Sequence, residues 1–485
     1  MAITIVGLGP GDPELLTRRA WRILSEASEV YFRTARHPGI ESLPIRSSHD
    51  FDNLYDQASD FDSLYKQIAE EILRLGARPE GVTYAVPGHP LVGETTVTHI
   101  LTLAKAQSVP VTIIDGLSFI EPMLGTIRID ALDGLQLQDA VDVTRMHHPQ
   151  LNPDVPAILA QVYSRAVASD VKLTLTNQYP DEHPVILIHG AGTPDASLEP
   201  IALYELDHSQ RIDHLTSLYV PALPKAGSFE RFQETIAHLR APEGCPWDRK
   251  QTHLSLRQYL IEEAYEVLDA LDAEDMDALC EELGDLLLQI VLHSQIAVEE
   301  GEFRMTDIIE HVNSKMIKRH PHVWGDVKVK DADEVVTNWE ALKKQQRAAS
   351  GEDGKQKSLL DGVPRALPAL GQAQSYQERA ARVGFDWSKV QDVAATLQEE
   401  IAEFQAADSD DERLKELGDV LFSVVNLARW YEVDPEAALR ETNRKFARRF
   451  RYVEQHAERD LKAMSPEEMD NLWKAAKTAE KLETS

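Results

Sequence analysis

The hydrophobic positions of this chain change period once, near residue 220. Before that point short β-type runs alternate with helical ones. The first are Ile3 to Leu8, a Gly-Pro-Gly turn at Gly9 to Gly11, and a helical pattern around Glu14 to Leu24. Further strands are predicted at Val82 to Val86, Val111 to Ile114, Val171 to Thr176, Val185 to His189 and Ile201 to Leu206. This alternation implies an α/β region. Several strands run into Gly-rich or polar turns, namely VPGHPLVG from Val86, DGLS from Asp115 and HGAGT from His189. Ligands of open α/β sheets sit beyond the carboxyl ends of strands, although any one such turn needs no more than a positive φ.

After Tyr219 the strand pattern stops. VPALPKAGSFE brings Pro, Gly and Ser together and sets a boundary between Pro221 and Ser228, beyond which the pattern is helical. Ile261, Ala264, Leu268 and Leu271, then Leu279, Leu283, Leu286, Leu287 and Ile290, recur at helical intervals around a polar Asp-Ala-Glu-Asp break. A helical hairpin is predicted there. Glu263 and Glu266 share a face of its first helix, and Glu282 and Asp285 repeat that spacing on the second.

Acidic residues so spaced usually mark a solvated face. Here the pattern occurs twice: LQEEIAEFQAADSDDERLKELGDVLFSVV supplies Glu400 and Glu403, then Glu416 and Asp419. Asn313, Lys315 and Arg319 in NSKMIKR recur as Asn443, Lys445 and Arg449 in NRKFARR, and each copy then carries a Trp, Trp339 and Trp473. A solvated face has no reason to keep carboxylates, a basic pair and an aromatic in one order twice, so the repeat points to a nucleotide site. Oxygen-only donors suit a hard cation such as Mg²⁺, whereas Zn²⁺ would recruit His or Cys. His320 and His322 flank Pro321, have no counterpart in the second copy, and are read as structural residues of an extended or turn segment.

With 485 residues the chain has room for about three domains, each with its own core. A net charge of -31 argues against broad electrostatic binding to nucleic acid or anionic membranes. Two cysteines, Cys245 and Cys280, build no disulfide framework and fit a reducing cytoplasm. No basic n-region opens the chain and no apolar run reaches the length of a membrane span, so neither export nor a membrane is expected.

VGLGPGDPELLT resembles the opening signature of the tetrapyrrole methylase superfamily, SAM-dependent methyltransferases built from two α/β lobes with the cofactor between them. The resemblance implies that Pro10, the Gly88-His89-Pro90 turn, Val92, Ser118 and Gly192 line a pocket for S-adenosylmethionine (SAM). His89 stands where members with well-defined tetrapyrrole substrates carry Asp, which leaves the methyl acceptor open. Transfer from a sulfonium needs chiefly alignment of donor and acceptor, and no catalytic base is nominated.

GCPWDRKQTHLSLRQYLIEEAYEVLDAL, EELGDLLLQIVLHSQIA and KMIKRHPHVWGD together resemble the MazG family of all-α nucleoside triphosphate pyrophosphohydrolases. A second copy opens with LPALGQAQSYQERAARVGFDW, where GFDW replaces CPWD. The expected architecture is multidomain: an α/β SAM domain over 1–222, all-α copy one over 228–346, a linker over 347–364 and copy two over 365–485.

This second resemblance implies Glu263, Glu266, Glu282 and Asp285 as metal ligands of copy one, and Glu400, Glu403, Glu416 and Asp419 as those of copy two, with Mg²⁺, or Mn²⁺ in its place, bridging to a nucleoside triphosphate. Glu262 and Glu399 are candidates to orient or deprotonate the attacking water. Lys315 with Arg319, and Lys445 with Arg449, lie four apart and suit the outer phosphates, while Trp339 and Trp473 are placed to stack on the base. Attack at the α-phosphorus would release a monophosphate and pyrophosphate. The expectation is a cytoplasmic homodimer whose second copy is the catalyst. Two other readings stay open: a sensor of nucleotide or SAM in which one or both MazG copies bind without turnover, and a methyltransferase acting on a tetrapyrrole.

Overall fold

A computed structural model describes residues 2–57, 60–332, 334–335, 338 and 358–483. The chain divides into two compact units, Met1–Val312 and Asn313–Ser485.

The first unit begins with a five-stranded parallel sheet ordered β3-β2-β4-β1-β5, made of β1 (Ile3–Gly7), β2 (Val30–Phe32), β3 (Ser48–Asp50), β4 (Val82–Val86) and β5 (Val111–Ile114). Its central strands are apolar on both faces, as a covered parallel sheet requires. Ile3, Ile5, Tyr84 and Val86 pack under α3 (Phe61–Gly76) and α4 (Thr95–Gln107), while Val6 and Ala85 pack with Ala20 and Leu24 of α1 (Arg18–Glu26). The α2 helix (Asp52–Gln57) precedes α3. Helix α1 starts later than its pattern implied, because a 3₁₀ turn at Pro13–Leu15 intervenes and Thr17 then caps the helix by accepting from the Ala20 N–H.

A second sheet, ordered β6-β7-β10-β8-β9, is mixed. Here β6 (Gln136–Asp139) and β7 (Ala157–Ala160) run parallel, whereas β10 (Thr216–Val220), β8 (Pro184–His189) and β9 (Ser197–Ala202) pair antiparallel. Helices α5 (Ile120–Ile127), α6 (Ala140–Val143) and α7 (Arg165–Leu175) accompany it. The strand predicted at Val171 to Thr176 is instead the end of α7. VKLTLT alternates in polarity, but Ala168, Val171 and Leu175 fall on one helical stripe and are buried together, and Ser164 caps the helix. Likewise Ile201 to Leu206 is not a strand throughout: β9 ends at Ala202 and a 3₁₀ turn covers Leu203–His208, burying Leu203 and Leu206.

The rest of the first unit is helical. Helix α8 (Phe229–Arg240) leads to α9 (Arg257–Asp272) and α10 (Met276–Glu300), and the Asp-Ala-Glu-Asp break is the hairpin turn. Glu274 takes a left-handed φ of 54° there, and the Asp275 carboxylate caps α10 by accepting from the Asp277 and Ala278 N–H groups. Ile236, Leu256, Val291, Leu292, Ile296 and Met305 form the core of this part. The next helix, α11, spans Met305–Arg319.

In the second unit Pro321 occupies the first turn of a short helix, α12 (Pro321–Trp324), so the segment holding His320 and His322 is not extended. A proline at that position gives up an N–H that had no partner in any case. His320 Nδ1 bonds the Met316 carbonyl oxygen at 2.7 Å, a role internal to the chain. Among the described residues, longer helices follow at Ala369–Ala381, Val390–Ala406, Asp410–Trp430, Pro435–His456 and Pro466–Glu483. Val390–Ala406 packs on Asp410–Trp430, and Pro435–His456 packs on Pro466–Glu483. Both carboxylate hairpins leave an apolar stripe open: Leu283, Leu287 and Ile290 in one, Leu417, Leu421 and Phe422 in the other, are each exposed over more than a third of their surface. Among the described residues no helix is long and apolar enough to cross a membrane.

Candidate metal centres and cofactor pocket

The i, i+3 spacing of acidic residues turns carboxylates toward the seam of each hairpin. In copy one Glu263 and Glu266 on α9 meet Glu282 on α10, with one oxygen from each lying within 4.8 Å of the others. Burial pushes the Glu263 carboxyl above its ordinary range, and the charges of Asp285 and Glu266 add to the rise. Glu282 is raised by desolvation too, with Glu266 and Asp285 contributing, so Asp285 shares the same field. Gln289 is buried one turn beyond Asp285 and donates Nε2 to Glu263 Oε1 at 3.4 Å.

Copy two gathers Glu400, Glu416 and Asp419 within the same 4.8 Å. Desolvation raises the Glu400 carboxyl first, followed by Asp419, Glu403, Glu416 and Glu399. Glu403 therefore sits beside the cluster and Glu399 at its edge, while Glu262 in copy one is exposed. Crowded carboxylates that hold protons more tightly than usual form a site in deficit of positive charge, and an all-oxygen donor set fits Mg²⁺ or Mn²⁺.

The basic residues behave differently from the acidic ones. Lys315 and Arg319 lie half-buried in the last turns of α11, and Trp339 falls outside the described residues. In copy two Lys445 is half-buried, but Arg449 donates Nε to Glu480 Oε2 at 2.8 Å and its guanidinium lies 5.9 Å from the centre of the Trp473 ring. Phe446 packs on Trp473 from the same helix as Arg449, with ring centres 5.2 Å apart. Arg449 and Trp473 thus meet each other.

In the α/β region the nominated loops converge. The Gly9 N–H donates to the Gly88 carbonyl at 3.2 Å, the Gly88 N–H returns a bond to Gly9 at 2.7 Å, and the Asp12 N–H donates to the Gly192 carbonyl at 2.9 Å. Gly192 has φ +83°, and a Cβ there would sit 2.5 Å from Pro10 Cγ, so only glycine lets these two loops close. His89 Nδ1 accepts from the Leu91 N–H at 3.1 Å and its Nε2 faces Asp115 at 3.5 Å, while the Val92 N–H donates to the His89 carbonyl. Ser118 Oγ donates to Glu121 at 2.5 Å. Pro10, Gly88, His89, Ser118 and Gly192 therefore belong to one neighbourhood.

Sequence reasoning missed His37 and Glu121, which brace these loops. Buried His37 bonds the Gly9 carbonyl through Nε2 at 2.9 Å, and burial holds its pKa down. Neither residue carries a sequence signal beyond the HPG turn at His37 to Gly39.

Residues 2–207 match the tetrapyrrole (corrin/porphyrin) methylases, and residues 251–324 and 389–454 match the MazG nucleotide pyrophosphohydrolase domain. The chain is 43% identical to YabN of Bacillus subtilis over 99% of both proteins. It is 45% identical to the nucleoside triphosphate pyrophosphohydrolase/pyrophosphatase MazG of Thermotoga maritima, covering 51% of this chain and 95% of that one. The Escherichia coli (strain K12) nucleoside triphosphate pyrophosphohydrolase is 43% identical over 52% of this chain and 97% of its own length. Among solved structures, uroporphyrin-III C-methyltransferase of Thermus thermophilus is 19% identical, with a TM-score of 0.35 over 45% of this chain and 91% of that one. The chain belongs to the MazG family, in the form that YabN shares end to end, with a tetrapyrrole methylase domain fused ahead of two MazG segments.

Proposed function

We propose that this chain hydrolyses nucleoside triphosphates to the monophosphate and pyrophosphate at its carboxylate hairpins, and that its α/β region binds SAM. The observation that carries the reading is the pair of carboxylate clusters, built twice with the same spacing in a chain that aligns with nearly the full length of proteins named for that hydrolysis.

Glu263, Glu266, Glu282 and Asp285, with Glu400, Glu403, Glu416 and Asp419, are the residues that would hold Mg²⁺ or Mn²⁺. Such ions, when bound, neutralise phosphate charge and make water a better nucleophile. Glu399 and Glu262 are the proposed acceptors of the proton from that water. Lys445 and Lys315 neutralise the outer phosphates; Arg449 reaches them only by exchanging Glu480 for a phosphate, and that exchange frees Trp473 to stack on the base. The loops at Pro10, Gly88, His89, Val92, Ser118 and Gly192 are the proposed SAM contacts. The functional division is into 1–222, 228–346, a linker over 347–364, and 365–485. The open apolar stripes of both hairpins support a homodimer, and the free cysteines support a cytoplasmic setting.

Pyrophosphate release from a panel of nucleoside triphosphates is the test. Mg²⁺ or Mn²⁺ should support it and Ca²⁺ should do so poorly, because looser coordination aligns water and phosphate less well; turnover in excess chelator refutes the proposal. Copy two is the proposed catalyst. Glu403→Gln should therefore remove most activity and Glu266→Gln little; the reverse result moves the chemistry to copy one.

A further inference from the structure

A group of metal-ligating side chains lies outside both carboxylate clusters and is used by neither proposed activity. His253, in the loop before α9, places Nε2 3.7 Å from Glu300 Oε2 at the end of α10, and His253, Glu300 and Glu302 each offer a donor within 4.8 Å of the others. On its other side His253 Nδ1 lies 2.8 Å from Nδ1 of His293. Gln289, which touches Glu263, and Glu300 are about 16 Å apart along α10 at 1.5 Å per residue, so this group is separate from the Glu263 cluster.

We propose that His253, Glu300 and Glu302 form a cation site of mixed nitrogen and oxygen donors for a borderline transition ion such as Zn²⁺, with His293 as its positioning residue. The two imidazoles are within 4° of parallel with centres 5.0 Å apart, and that separation exceeds the nitrogen distance by about two ring radii. The rings therefore meet edge to edge, in the plane of an N–H···N bond. Such a bond needs one protonated and one bare nitrogen. When Nδ1–H of His253 donates to His293, the Nε2 lone pair of His253 is left facing Glu300, with Glu302 in the same cluster, which is how a metal-bound histidine is oriented by a second residue.

The 3.7 Å between Nε2 and Glu300 is too long for a hydrogen bond. It is close to the roughly 3.3 Å that separates two donors held about 2.0–2.1 Å from a tetrahedral ion. One imidazole and two carboxylates make three protein donors and leave a fourth position for water. A nitrogen donor is also what distinguishes this site from the all-oxygen hairpins, which favour Mg²⁺.

Co²⁺ titrated into the full-length, chelator-stripped chain is the probe. One equivalent should give visible ligand-field absorption, displaced by Zn²⁺ and not by millimolar Mg²⁺. His253→Gln, and independently the exposed Glu302→Gln, should lower Co²⁺ affinity at least tenfold in chains whose far-ultraviolet circular dichroism is unchanged. Glu263→Gln and Glu400→Gln should leave the band intact. His293→Leu should weaken binding 10- to 100-fold, whereas His293→Gln, which can still accept the Nδ1–H bond, should restore it. Absence of the band in the parent chain, or a band that survives both His253→Gln and Glu302→Gln, overturns the proposal and leaves an ordinary His–Glu ion pair.

Discussion

Replacing Glu400 by Gln should stabilise the chain in chelator and destabilise it, relative to its parent, in Mg²⁺. The carboxylate of Glu400 has oxygens of Glu416 and Asp419 within 4.8 Å. At that distance two unit charges repel by about 1 kcal/mol in a water-like dielectric, so removing one charge of three relieves about 1–2 kcal/mol, trimmed by salt. Gln keeps the length of Glu and its helix propensity. For a unit of this size the midpoint in chelator should rise by about 2–8 °C. At a Mg²⁺ concentration of a hundred times Kd the parent should gain about 2.7 kcal/mol, and the variant, missing a ligand, much less.

The two melting curves should therefore exchange order between chelator and Mg²⁺, read by circular dichroism on the same samples. The sign with pH follows: Glu400 holds its proton more tightly folded than its usual 4.5 allows, so the parent carries the penalty above that range and loses it as pH falls. The difference in chelator should vanish in acid. A variant that melts below its parent in chelator, or gains as much from Mg²⁺, refutes both the crowding and the ligand role.

Two further outcomes are expected. Gly192→Ala should cost about 1–3 kcal/mol because φ is +83° and the new methyl meets Pro10; calorimetry on the full chain should show SAM affinity at least tenfold weaker with pyrophosphate release unchanged, and unaltered SAM binding would remove Gly192 from the pocket. Burial raises the Glu94 carboxyl to about 7, even with Arg33 Nε 3.2 Å away, so the unfolded chain ionises first and stability falls by about 3 kcal/mol as pH climbs from 4.5 to 7; Glu94→Gln should flatten that part of the Tm–pH curve, and an unchanged slope would show that another group sets it.

The parts legible in the sequence were those fixed by local periodicity. Val82 to Val86 and Val111 to Ile114 are strands with those same limits, because short runs rich in β-branched and aromatic residues between turn residues leave a buried sheet little choice. The hairpin pairs were legible because spacings of three on a helix determine a shared face, and ELGD follows EExxE in both copies. The second sheet was harder to read. Strands β7 and β10, AILA and TSLYV, are short and pair with each other across some sixty positions, while VKLTLT carries both periods and is settled by the Ser164 cap and the packing of Val171 and Leu175. His253 and His293 are forty residues apart, and no spacing rule joins them. Arg449 shows the converse limit: its repeat position marked it as a phosphate ligand, yet sequence gave no sign of Glu480 as the partner it holds in the fold.

The junction between β10 and α8 has a practical meaning for anyone wishing to dissect the chain. Ser228 caps α8 by accepting from the Arg231 N–H, and its own hydroxyl donates to Asp154 Oδ2 at 2.7 Å, while the Gly227 N–H donates to Asp154 Oδ1 at 2.7 Å. The segment between Pro221 and Ser228 reads in sequence as a domain boundary, and its far end is tied to the loop before β7. A fragment cut at residue 220 leaves Asp154 without the groups that hold its carboxyl below the usual range, and a fragment begun at 229 starts α8 without its cap. Expression fragments of the α/β part should therefore run through Arg231, so that the capping serine travels with the aspartate that orients it.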